Sequence, residues 1–208
     1  MTPIALFETV WARCAELSAL QAYLAKNVAS ILRPDELLRA EWVARVSALD
    51  LYVHELVAQE MLATFDGRRP ATPGYMRFQI SAETVERIRA AATPSDANAA
   101  FDLEVRDKLS YLAFQDPEKI ADGIRLFSPI ELWNEVALKL GATPATKVTT
   151  AQSLKKELSL VVRRRNKIAH EGDLGPTPPR EPWPISQSDL ALVADLIERL
   201  VRGIDAAV

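Results

Sequence analysis

Thr149 to Gly172 reads TTAQSLKKELSLVVRRRNKIAHEG, and Leu154, Leu158, Val161 and Ile168 recur in it at intervals of four, three and seven. That recurrence is the period of one face of an α-helix. The spacing predicts a helix from Thr149 or Thr150 to about His170, with Gly172 placed to close it as a left-handed cap. Arg165 falls inside the apolar stripe, three residues before Ile168 and four after Val161. A second stripe holds Arg163, Asn166, Lys167 and His170, at offsets of three, four and seven. From Lys155 to His170 six cations stand against Glu157 alone, a local charge of +5 in a chain whose total is −3. Cations suit the negative end of a helix dipole, which accounts for one or two of them but not for three consecutive arginines.

The same periodicity extends through the rest of the chain, and no stretch alternates convincingly as a strand. The expected helices run from about Phe7 to Asn27, and from near Pro34 to Phe65 with an end at Asp66-Gly67. A shorter one follows Ser81 and is broken at Thr93-Pro94-Ser95-Asp96. Others span about Asn98 to Phe114, from Asp116-Pro117-Glu118 onward, and from Ser128-Pro129 to Gly141. Arg68 to Phe78 is expected to be a loop, and Ser188 to Ala206 the last helix. Trp42, Val46, Leu49, Val53, Leu56 and Val57 stripe the second helix at threes and fours, marking it as the central strut. The expected fold is all-α, a bundle of about seven helices in one domain over residues 1–208. A Pro-rich connector at 175–187 contains Pro176, Pro178, Pro179, Pro182 and Pro184.

At 208 residues, 49% apolar and 25% charged, the chain can bury a real core and does not have the composition of a disordered segment. A net charge of −3 argues against a protein that coats nucleic acid nonspecifically, so any such contact has to be local. One cysteine, Cys14, excludes an internal disulfide, makes a thiolate zinc site improbable and suits a reducing compartment. Met1 to Glu8 does not read as a signal peptide and no apolar run has the length of a membrane span, so a cytoplasmic protein without a membrane anchor is expected.

Chemistry concentrates at the end of the Thr149–Gly172 helix. Arginine can hold phosphate charge, and imidazole exchanges a proton near neutral pH. Arg165 and His170 are five residues apart, which at 100° per residue projects them roughly 140° from one another. They can meet if the arginine wraps, if the helix unwinds near Gly172, or if a second copy of the chain lays its own helix alongside. The last arrangement also explains an arginine in an apolar stripe, and a homodimer is expected.

Elsewhere Asp50 and His54 read as a semi-buried polar pair on the second helix, or as a group reaching the cleft. His54-Glu55 lacks the second histidine of a zinc-protease motif, since Ala58 stands there. No glycine-rich phosphate loop and no metal cluster is evident. Cys14, Trp11, Trp42 and Trp133 read as core, and Trp183, in the Pro-rich connector, as a surface contact.

Arg165-Asn166-Lys167-Ile168-Ala169-His170 resembles the signature of the HEPN superfamily, an Arg, a polar residue that is often Asn, and a His, with four to six residues between Arg and His. Arg163, Arg164 and Arg165 all fall within that spacing, and Asn166 singles out Arg165. The stretch Arg39 to Leu56, and Asp116 through Trp133, are similar to the branch called RiboL-PSP-HEPN, so the likeness spans most of the chain. The resemblance implies an all-α dimer and a metal-independent endoribonuclease, with no cofactor, acting as a toxin or antiviral-defence effector. It further implies a restraining antitoxin or regulatory protein. It implies catalytic roles for Arg165, His170 and Asn166, and RNA contacts from Arg163, Arg164 and Lys167. Other members are inactive scaffolds, so the alternative is a noncatalytic module for dimerisation or for binding RNA or a partner.

Overall fold

Helix signals in the sequence become nine helices among the described residues, 1–28 and 34–208 of a computed structural model. They are α1 (Pro3–Asn27), α2 (Asp35–Phe65), α3 (Pro73–Met76), α4 (Ala82–Arg89), α5 (Pro94–Ser110), α6 (Pro117–Ile124), α7 (Leu132–Lys139), α8 (Lys147–Glu171) and α9 (Gln187–Ala207). No strand forms among these residues; the one β-type pairing is an isolated antiparallel bridge between Leu174 and Pro182. None of these helices is long and apolar enough to cross a membrane.

α2 is the strut around which the rest assembles. Its 31 residues include Val46, Ala48, Leu49, Tyr52, Val53, Val57 and Met61, all essentially without exposure. They pack against α1, α5, α8 and α9 in one continuous core. Each fully buried aliphatic side chain contributes roughly 1.5–3 kcal/mol, so this helix carries a large share of the apolar driving force. Tyr52 keeps its hydroxyl satisfied by donating to Asp205 of α9 at 3.1 Å. α7, α8 and α9 close the opposite side through Trp133, Val136, Leu158, Ile197 and Leu200.

Four boundaries differ from expectation. Thr93 to Asp96 separates α4 from α5 as expected, but α5 begins at Pro94 instead of about Asn98. The Thr93 hydroxyl accepts the Asp96 N–H and the Asp96 carboxylate accepts the Thr93 N–H, a reciprocal cap. α5 stops at Ser110 instead of Phe114, because Asp50 on α2 accepts the Phe114 N–H and draws that segment away. The expected loop at 68–78 contains α3, capped by Thr72. Gly74 lies so close to the Arg125 carbonyl that an added Cβ would sit 2.2 Å from its oxygen, which fixes this turn against α6. α7 begins at Leu132, since Phe127 and Ser128 still donate to Ile124 and complete α6. Among the described residues the helix count is therefore nine rather than about seven.

Candidate functional site at the end of α8

α8 buries Ala151, Leu154, Leu158 and Val161, with Ile168 packed at the edge of the core. It stays helical through Glu171. Gly172 then takes φ +64, and the N–H groups of Gly172 and Asp173 both return to the Lys167 carbonyl. The helix does not unwind before the cap, which removes one of the three ways for Arg165 to approach His170.

Arg165 does occupy the apolar side, partly buried, with its Nε out of water and without a hydrogen-bond partner. Its Nη1 donates to Oδ1 of Asn166 at 3.0 Å. The guanidinium thus bends along the helix to the side chain of the next residue. Asn166 lies one turn before His170 on the same side. The bend therefore carries the Arg165 head toward the stripe that holds the histidine. Asn166 and His170 are exposed, and the imidazole makes no hydrogen bond among the described residues.

Arg164, expected at the RNA surface, is committed to the fold instead. Its Nη2 donates to Asp173 Oδ2 at 3.1 Å and to the Pro184 carbonyl at 2.7 Å, and its guanidinium lies 5.1 Å from the centre of the Trp42 ring. Asp173 is 1% exposed and also accepts from Arg39 Nε at 3.1 Å. Arg39 Nη2 reaches the Trp183 carbonyl at 2.6 Å, and the Trp183 N–H donates to the Asp173 carbonyl at 2.8 Å. Trp42 donates from its indole to the Val161 carbonyl at 3.0 Å. One buried carboxylate and two arginines thus pin the Pro-rich connector onto α2 and α8.

Arg163 is exposed and Lys167 partly so, and neither makes an ion pair among the described residues. Both line a cleft of about 270 Å³ together with Leu160, Arg164, Asp173 and Trp183. Lys167 and Trp183 also belong to a second cleft, of about 490 Å³, with Glu171, Leu174 and Arg180. The two openings meet along one side of the connector.

Nothing in the local pattern marks Arg39 and Asp173 as pinning residues. An arginine beside the apolar stripe of α2, and an aspartate directly after the capping glycine, were the available signals. Asp50 and His54 form the expected half-buried pair, 3.7 Å apart, with the imidazole edge against Phe114 at 4.7 Å. Asp50 also accepts from Gln115, so the pair serves the α5–α6 connection. Cys14 is buried, and burial pushes its thiol up from the ordinary range, which leaves it a poor nucleophile. Among the described residues no group of three or more His, Cys, Asp or Glu side chains is placed to hold a metal ion. Comparison of the chain with family models, with curated proteins and with solved structures found no match.

Proposed function

We propose that this chain is a metal-independent endoribonuclease of the HEPN kind, working as a homodimer. One observation carries the reading: the Arg165 head is drawn by Asn166 toward the side of α8 where His170 stands exposed and unengaged. Two further cations, Arg163 and Lys167, share that side. The likeness of Arg165-Asn166-Lys167-Ile168-Ala169-His170 to the HEPN signature supplies the reaction class.

In the proposed reaction His170 takes the proton of a ribose 2′-hydroxyl. The resulting oxygen attacks the adjacent phosphorus while the P–O5′ bond breaks. The leaving 5′-oxygen takes a proton from an imidazolium, supplied by His170 of a second copy across the two-fold axis. Products are a 2′,3′-cyclic phosphate and a 5′-hydroxyl. Arg165 stabilises the charge that builds on the non-bridging oxygens, and Asn166 orients the arginine. DNA lacks the attacking hydroxyl and is inert. Arg164 is given no part, because its Nη2 is held by Asp173 and the Pro184 carbonyl and its Nε is buried. A toxin or defence effector in the cytoplasm, restrained by an antitoxin or regulatory protein, is the biological role that fits such an activity.

The unbroken course of α8 to Glu171 favours a second reading, a noncatalytic module that dimerises or binds RNA. On one straight helix the backbone positions 165 and 170 remain roughly 140° apart. Incubating the chain with single-stranded and structured RNA in excess EDTA separates the two. Cleavage abolished by both His170→Ala and Arg165→Ala, with circular dichroism unchanged, supports the enzyme. Binding without cleavage supports the module.

A further inference from the structure

Trp183 is held by its backbone and presents its ring. Its N–H and carbonyl are tied to Asp173 and Arg39, yet the residue is 45% exposed, well above Trp42 and Trp133 at 6% each. Trp183 lines both clefts, with Arg163, Lys167 and the Asp173-bound Arg164 in one and Lys167 and Arg180 in the other, and Arg163, Lys167 and Arg180 are the cations left unengaged. These three cations make no ion pair among the described residues. Of the carboxylates lining the clefts, Asp173 is neutralised by Arg39 and Arg164, which leaves Glu171. An exposed aromatic face between unpaired cations is the pattern that binds a single strand: every base offers a π-face for stacking and every linkage a charge. Arg163 and Lys167 stand one turn apart, roughly 6 Å along the axis, comparable with successive phosphates of an extended strand. They also belong to the His170 stripe, so a strand held here passes the proposed reacting groups.

We infer that the Trp183 indole is the stacking platform for one unpaired RNA base beside the His170 stripe, with Arg163, Lys167 and Arg180 holding the flanking phosphates. This rests on the ribonuclease reading for the identity of its ligand, but it is tested without catalysis. The platform selects unpaired over duplex RNA, because bases stacked in a helix cannot reach the ring. The rigid backbone anchorage keeps the ring presented before RNA arrives, so little ordering cost attends the stacking.

The probe is a fluorescently labelled, fully 2′-O-methylated single-stranded oligonucleotide, which cannot be cleaved, titrated with the full chain and followed by anisotropy. Trp183→Ala is expected to weaken binding about fivefold to a hundredfold, and Trp183→Phe to retain most of it. Arg180→Glu, at an exposed position, weakens binding and flattens its salt dependence by roughly one phosphate contact. A duplex of the same sequence binds more weakly and does not respond to Trp183→Ala. Should Trp183→Ala unfold, Trp183→Phe and Arg180→Glu decide alone. Absence of binding, unchanged binding in the informative variants, equal affinity for duplex, or preference for an acidic phosphopeptide that displaces the oligonucleotide overturns the inference. Cleavage of unmodified RNA that ignores Trp183 refutes the platform and leaves the ribonuclease standing. Trp183-dependent binding with no cleavage does the reverse.

Discussion

Arg39 on α2 donates its Nε to Oδ2 of Asp173 at 3.1 Å, joining positions 134 residues apart. The same oxygen accepts from Arg164, so three segments meet at one buried carboxylate. Asp173 itself takes φ +54, a left-handed conformation that aspartate tolerates better than most side chains. Helix end, connector and central strut are thereby fixed to each other, and with them the position of the Trp183 ring.

Removing the shared acceptor leaves Arg164 without its charge partner and Arg39 with only the exposed Glu36. Asp173→Ala is expected to cost about 3–5 kcal/mol, the scale for breaking a buried ion pair from one side. Urea unfolding measures it. A loss within 0.5 kcal/mol of zero, roughly the scatter of surface substitutions, contradicts the central role given to Asp173.

Neighbouring arginines should separate cleanly. Arg164→Ala removes hydrogen bonds to Asp173 and Pro184 and lowers stability by about 1–3 kcal/mol. Arg163→Ala leaves the melting temperature in place and weakens RNA binding. If both variants melt like the parent and bind RNA equally poorly, the division of labour between them is wrong.

Acid should selectively weaken the joint between α4 and α5. Glu104 accepts from the Thr84 hydroxyl at 2.7 Å and from the Ser81 N–H at 2.7 Å, and these bonds, that from Thr84 foremost, hold its carboxyl below the usual glutamate range. A folded value below the unfolded one contributes stability above the unfolded value, and that contribution disappears as pH falls through the folded one. Glu104→Gln is therefore less stable than the parent near pH 7, and the gap narrows between about pH 6 and pH 3. Parallel melting curves for the two proteins over that interval measure the gap. One that stays constant shows that the charge at 104 is irrelevant.

The ribonuclease reading requires a second copy, because a single α8 offers one imidazole where the proposed reaction uses two. Light scattering at micromolar concentration is expected to give twice the mass of the chain, about 46 kDa from a 23.0 kDa protomer. A monomer that nevertheless cleaves RNA would remove the need for two histidines, and an inert monomer would leave only the binding module.

Sequence by itself determined the helical class, the burial of α2, the cap at Gly172 and the stripe that carries Arg163, Asn166, Lys167 and His170. Those follow from local periodicity and local hydrogen bonding, which a linear reading contains. Tertiary structure alone decided which of three adjacent arginines was taken. Arg163, Arg164 and Arg165 are equivalent in charge and differ only by 100° rotations about α8. Arg164 points at a carboxylate nine residues on and at an indole from α2, Arg165 bends to Asn166, and Arg163 stays in water. That allocation depends on where α2 and the connector come to rest, a contact between distant segments that no periodicity encodes.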